Sequence, residues 1–365
     1  MKEMPVIQKI TIIIGILISA MAVNAVPRQP RLIKNFDQWC QEKRSLPVTT
    51  AKTIEVLLKK TMTNDCRVAD SKLRALNVLD LSNNQISDVQ PLASLNNLTK
   101  LDLGKNQISD IRPLVTLHSL TALSLNDNQI SDVNPLASFV KLNVLNLSKN
   151  RINNIKPLAT LNTLTDLGLS ENQISDLRPL ASLQQLTKLD LISNQIIETR
   201  PLASLDSLTV LGLSRNKIVD VQPMMALNKL TTLGLSENRI TNVKPLAGLT
   251  NLTSLWLMRN QIRDIKPLTG LVKLTTFGLT GNQISDIKPL AGMVKLTSLG
   301  LSGNKIIDIK PLAGLINLKT LSLMKNQISD VKPLVGLVNL TELYLGENQI
   351  GEKICPLKTA PVCKF

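Results

Sequence analysis

Leu274-Thr275-Thr276-Phe277-Gly278-Leu279-Thr280-Gly281-Asn282-Gln283-Ile284-Ser285-Asp286-Ile287-Lys288-Pro289-Leu290 decides the fold, because its wording returns every 22 residues. Counted from Leu76, the unit reads L-x-x-L-x-L-x-x-N-x-I-x-x-x-x-P-x-x-x-L-x-x. Further units begin at Leu98, Leu120, Leu142, Leu164, Leu186, Leu208, Leu230, Leu252, Leu274, Leu296, Leu318 and Leu340. The ninth position is Asn in all thirteen units, Asn84 to Asn348. The sixteenth is Pro in all twelve complete units, Pro91 to Pro333. A fixed period of this length marks a repeat array, in which each unit contacts only its neighbours.

Each fixed position has a physical reason. The L-x-L stretch alternates inward and outward, as a half-buried strand does. Stacked units would pair these strands in parallel about 4.8 Å apart, giving a ridge on the order of 60 Å long. The Asn follows the strand where the chain turns. Its amide both donates and accepts, so a column of them can satisfy the turn's backbone groups. The Ile two residues on, such as Ile86, re-enters the core. Pro fixes φ and has no N–H to leave unpaired, which suits the start of a short 3₁₀ or single-turn helix on the convex side. Apolar residues make up 43% of the chain and aromatics 2%, so aliphatic side chains build the core. In the sixth unit Thr199 stands where most units carry Val, Ile or Leu, and its hydroxyl needs a partner. Met224-Met225 replaces the usual Leu-Ala nearby, so the junction of units six and seven is expected to be the softest.

An open stack needs caps. Residues 26–75 are read as a helical N-terminal cap. Leu32, Phe36, Trp39 and Cys40 recur at helical spacing, and Thr50 is expected to cap a second helix carrying Ile54, Leu57 and Leu58. Residues 76–339 are the twelve full repeats, and 340–365 a partial thirteenth with the closing segment. Residues 1–25 read as a cleaved secretory signal: Lys2 and Lys9 lead an apolar run from Ile10 to Met21 that ends at Val23-Asn24-Ala25. The alternative is an uncleaved anchor, although the run is short of the roughly 20 residues a span needs. A secreted or periplasmic chain meets an oxidising compartment, so its four cysteines are expected to pair. Cys40 and Cys66 precede the repeats and Cys355 and Cys363 follow them, which leaves Cys40–Cys66 and Cys355–Cys363 as the sensible pairing. Metal ligation is the alternative, and neither pair has the accompanying His or carboxylates.

The motif L-x-x-L-x-L-x-x-N-x-I with a later P-L resembles the twenty-two-residue class of leucine-rich repeats, carried by bacterial internalins and by certain phosphatase-regulatory subunits. The unit quoted above is close to internalin wording, and the resemblance covers roughly residues 76–350. The cysteine-bearing cap and tail resemble secreted leucine-rich-repeat proteins of free-living bacteria, cyanobacteria in particular. The resemblance implies an α/β fold: a right-handed leucine-rich-repeat solenoid with a parallel concave sheet and short 3₁₀ or helical turns on the convex side. It also implies recognition of a protein ligand on the concave face. The sequence departs from the invasion internalins in ending just after its closing segment, without sorting signal, wall-binding module or immunoglobulin-like extension, so host-cell adhesion is not expected to carry over with the resemblance.

Positions three, five, seven and eight of each unit are expected to face outward along the strand. Most are small or polar, and position five is Gly at 168, 212, 234, 278 and 300. Against that plain surface stand Trp256, Met258 and Arg259, with Met324 and Tyr344 further on. An exposed Trp beside Met and Arg has the composition of an interaction hot spot. The competing reading is that Trp256 only covers the glycines beside it.

The formal charge is +15, and loss of Lys2, Glu3 and Lys9 with the signal leaves +14. A basic ladder precedes the prolines, from Arg112 to Lys332, and an acidic ladder from Asp88 to Asp330 runs two residues earlier; the two are expected to neutralise each other largely. Residues 26–75 hold eleven Lys or Arg against five Asp or Glu, which suits weak contact with acidic polysaccharide or membrane headgroups. A structural or polyanion-binding envelope protein is therefore the alternative to a protein-binding module. Catalysis is not expected: the single histidine, His118, lies in a loop, and no phosphate loop, zinc spacing or nucleophile elbow appears. Nucleic-acid stacking lacks aromatics. No cofactor is expected, and the protein is read as a monomer.

Overall fold

The computed structural model describes residues 33–352, 354–357 and 362–365. The signal-peptide reading and Leu32 lie outside the described residues. Lys34–Phe365 form one compact unit.

Each repeat contributes one three-residue strand at positions three to five, from β1 (Val78–Asp80) to β13 (Glu342–Tyr344). All pair in parallel in chain order, and the partners are 22 residues apart, as in Thr276↔Ser254, Phe277↔Leu255 and Gly278↔Trp256. The period therefore sets the register directly. The residue at position four (Leu, or Phe277 in the tenth unit), the Leu at six and the Ile at eleven are buried in every unit from Leu79 to Leu323, as at Leu255, Leu257 and Ile262. Each Pro sits in the first turn of a 3₁₀ helix, such as Lys266–Leu268, whose inner Leu268 is fully buried.

The asparagines stitch the stack together. Asn260 Nδ2 donates to the carbonyls of Leu257 (3.1 Å) and Leu235 (3.0 Å), and its Oδ1 accepts from the Ile240 N–H (3.0 Å). One side chain thus spans two units, and this pattern repeats from Asn106 to Asn348.

The strand itself is shorter than the set of outward positions read from the sequence. Position eight is not strand: it is left-handed in every unit, as at Lys105 (φ 55°), Arg259 (φ 52°) and Gly281 (φ 73°). The turn toward the Asn begins there. The position-eight N–H reaches the next unit, for example Arg259 N to Thr280 O at 2.7 Å, which offsets the strain that a non-glycine residue bears in this region.

Three helices precede β1: α1 (Phe36–Gln41), α2 (Val48–Thr61) and α3 (Cys66–Arg74). Asn35 caps α1 in a capping box with Gln38, and Asp65 caps α3. Thr50 is not a cap: α2 begins at Val48 with Pro47 before it. Thr50 and Thr53 are instead buried. Thr50 donates to the Asp88 carboxylate and Thr53 to the Asp88 carbonyl (2.6 Å), tying α2 to the first repeat. Cys40–Cys66 joins α1 to α3. At the far end β14 (Val362–Lys364) adds a strand beside β13 with a register of 20 rather than 22, and Cys355–Cys363 closes the loop that carries it. The sheet edge is thus covered by the tail itself, which the sequence pattern did not reveal.

Candidate functional site

The concave sheet face holds a hollow of about 520 Å³ between β6 (Lys188–Asp190) and β9 (Ser254–Trp256). Between them the lining is bare backbone at Gly212 and Gly234, which end β7 (Val210–Gly212) and β8 (Thr232–Gly234), with Val210, Ser214, Thr232 and Ser236 around them. A Cβ on Gly212 would stand 2.9 Å from Asp190 Oδ1, whereas one on Gly234 would meet nothing closer than Ser214 Oγ at 3.2 Å. Trp256 and Met258 form one wall, and Asp190 and Ile192 the other. The glycine column was visible in the sequence, but the depression it makes was not inferred. A smaller hollow, about 310 Å³, lies over the first four strands and is lined by Val78, Asp102, Ala122 and Asn146 among others.

Trp256 is half-buried, and it leans toward the neighbour on its other side. A Cβ on Gly278 would lie 3.2 Å from Trp256 Cδ1 and 3.1 Å from Met258 Cγ. The indole therefore covers one glycine while walling a hollow floored by two others. Arg259 is exposed and does not line the hollow. Its Nη1 is 3.9 Å from Glu237 Oε1, which Arg215 Nε approaches at 3.2 Å, so Glu237 is held between two guanidinium groups. Lys188 and Asp166 stand 4.0 Å apart at the opposite rim. Asp190 has no cation within 4 Å among the described residues, and its Oδ1 accepts from the Ile192 N–H at 3.0 Å.

Met324 and Tyr344 are not part of this hollow. Tyr344 is in β13, four strands from β9, roughly 19 Å at the usual strand spacing. Lys364 Nζ lies 4.8 Å from the Tyr344 ring centroid, and the Tyr344 hydroxyl donates to Glu342 Oε2 at 3.3 Å. Met324 Cε comes within 3.4 Å of the place a Cβ on Gly346 would take. Both side chains lie toward the closing strand. Of the five residues singled out in the sequence, only Trp256 and Met258 line the hollow.

Few opposite charges of the convex ladders touch. Guanidinium–carboxylate contact occurs at Arg112–Asp110 (2.7 Å) and Arg178–Asp176 (2.8 Å), and these hydrogen bonds hold both carboxyls below their usual range. Elsewhere the Asp serves the backbone: Asp264 accepts the Lys266 N–H at 2.8 Å and Asp286 the Lys288 N–H at 2.9 Å. The lysine heads are left in solvent beside the acidic ladder, as a solvated face requires. His118 is exposed. Among the described residues no group of His, Cys, Asp and Glu could hold a metal ion, and no helix is long and apolar enough to cross a membrane.

The family model described as leucine-rich repeats (two copies) matches residues 74–116, 118–160, 228–270, 272–314 and 316–359, together more than half of the chain. An internalin from Listeria monocytogenes is 33% identical, with a TM-score of 0.80 over 85% of this chain and 95% of its own. A leucine-rich-repeat protein of Leptospira interrogans is 27% identical, with a TM-score of 0.63 over 77% of this chain and 86% of its own. A plant peptide-hormone receptor in complex with RGF2 shares the fold at 22% identity, with a TM-score of 0.65 over 77% of this chain and 49% of its own. No curated protein sequence matches the chain. The chain belongs to the leucine-rich-repeat family and is an internalin-like bacterial member of it.

Proposed function

We propose that this protein is a non-catalytic binding module that takes a protein ligand on the concave face, anchored in the hollow between Ile192 and Trp256. The observation that carries the reading is the hollow itself: two backbone glycines form its floor, and an aromatic and a thioether side chain form one wall. Binding energy concentrates where a side chain enters such a desolvated recess beside Trp. The hollow suits one large apolar side chain of the partner, and Asp190 on the rim favours a cationic neighbour. The similarity to proteins that generally serve as binding scaffolds supports the reading, as does the complex of the plant receptor with its RGF2 ligand. Two disulfides fit an oxidising compartment, so we place the protein outside the cytoplasm, secreted or periplasmic.

The test is capture of a partner by the chain from residue 26, comparing the parent with Gly234→Leu. The leucine side chain rises from the floor into the hollow, and the nearest atom to its Cβ is Ser214 Oγ at 3.2 Å. Capture by the parent and loss with Gly234→Leu is the expected result. Equal capture by both removes the hollow from the account. The polyanion-binding alternative draws on the basic cap and the unpaired convex lysines. It requires capture that falls steeply with salt and ignores Gly234→Leu.

A further inference from the structure

One strip of the rod changes character in the last four complete units. Position twenty-one is polar in seven of the first eight units, Val140 being the exception, and then becomes Val272, Val294, Ile316 and Val338. These four are 48%, 48%, 53% and 70% exposed. At the usual strand spacing they form a row roughly 15 Å long. Position nineteen is Gly in the same units, and a Cβ on Gly270, Gly292 or Gly314 would meet nothing within 4 Å. The strip is therefore open at these glycines.

The same four units are basic as a whole. Residues 252–339 hold eleven Lys or Arg and four Asp, a net +7 out of +15. The four are Asp264, Asp286, Asp308 and Asp330, and each accepts the backbone N–H of the lysine two residues on, at 2.8–2.9 Å. Lys273 and Lys295 directly follow Val272 and Val294. Among the described residues neither they nor the ladder lysines 266, 288, 310 and 332 have a carboxylate within 4 Å; Lys273 reaches only Asn251 Oδ1, at 2.8 Å.

We propose that this strip docks the rod on an anionic lipid surface, with the β-branched row entering the headgroup boundary and the lysines meeting the lipid charges. Interfacial binding adds buried apolar area to attraction for anionic headgroups; the exposed apolar row has Lys273 and Lys295 directly beside it, on units that are basic as a whole. A second copy is disfavoured, because it would bring the same +7 against itself. The site is independent of the concave hollow.

The test is co-sedimentation of residues 26–365, which keep the whole compact unit and both disulfides, with vesicles. Phosphatidylcholine vesicles are compared with phosphatidylcholine–phosphatidylglycerol vesicles. Binding to the mixed vesicles alone is expected. The Val294→Ser/Ile316→Ser variant should reduce partitioning about tenfold or more, and Lys273→Gln/Lys295→Gln should reduce it several-fold at about 0.1 M salt. All four side chains are exposed, so circular dichroism should be unchanged in both variants. The proposal falls if the parent ignores mixed vesicles or if Val294→Ser/Ile316→Ser binds them as the parent does. It also falls if dextran sulfate in solution is bound as tightly as vesicles by both proteins, which would assign the charge to a polysaccharide.

Discussion

Replacing Asn260 tests how the stack is held. Asn260 is 7% exposed and its side chain makes bonds to two units. Truncation to Ala does not orphan every partner equally. The Leu235 carbonyl keeps Asn238 Nδ2 (3.0 Å), and the Leu257 carbonyl keeps Asn282 Nδ2 (3.0 Å). Only the Ile240 N–H, which donates to Asn260 Oδ1, loses its partner outright. An unsatisfied buried donor costs about 1–3 kcal/mol, and each of the two weakened carbonyls adds about 0.5–1 kcal/mol. Asn260→Ala should therefore lower unfolding free energy by about 3 kcal/mol in urea titrations followed by circular dichroism. Asn260→Asp separates donor from acceptor. Its carboxylate still accepts from Ile240 but faces the two Leu carbonyls with no hydrogen to give, so it should be at least as damaging at pH 7. Burial beside carbonyls raises the folded-state pKa of the new carboxyl above its unfolded value. The neutral acid can donate, so its deficit against the parent should shrink as pH falls through that raised pKa. A loss under about 0.5 kcal/mol for Asn260→Ala, or an Asn260→Asp deficit independent of pH, would refute the ladder as the source of cohesion.

Three further outcomes follow from the same geometry. Gly281→Ala, at φ 73° with Arg259 Cγ 3.1 Å from the added carbon, should lose about 1 kcal/mol in the same assay; no change would mean that position eight bears no strain. Removing the Cys40–Cys66 bond, which spans 26 residues, with paired Ala substitutions should lower stability by about 3.5 kcal/mol. Intact stability would show that α1 and α3 hold without it. Thr199→Val should change stability by less than about 1 kcal/mol, because the buried hydroxyl already donates to the Asp220 carbonyl at 3.1 Å. A gain of several kcal/mol would instead support the weak junction read from the sequence.

The architecture was legible because the period does the structural work. A 22-residue spacing with Leu, Asn, Ile and Pro fixed in place dictates inward side chains, parallel register, the amide column and the convex turns. What escaped was set by backbone geometry or by single contacts outside the period. The left-handed position eight is occupied by Lys, Glu, Arg, Ser, Asp or Asn as readily as by Gly, so composition gives no sign of it. Thr50 looked like a cap because threonine favours that position, but Pro47 starts the helix earlier and the hydroxyl is used for Asp88. Strand β14 has no repeat wording at all. At the candidate site the sequence identified the residues that stand up from the sheet, Trp256 and Met258, but not the recess between units. A recess is made by what glycine lacks and by the distance between walls three units apart.

The most direct measurement of the central claim is calorimetric titration of the captured partner into the parent chain, Trp256→Ala and the convex variant Lys288→Gln. Trp256→Ala should weaken binding by about 2 kcal/mol, roughly thirtyfold in Kd, while Lys288→Gln should leave it unchanged. Unchanged affinity for Trp256→Ala, with loss for Lys288→Gln, would contradict it and move the binding surface to the convex side.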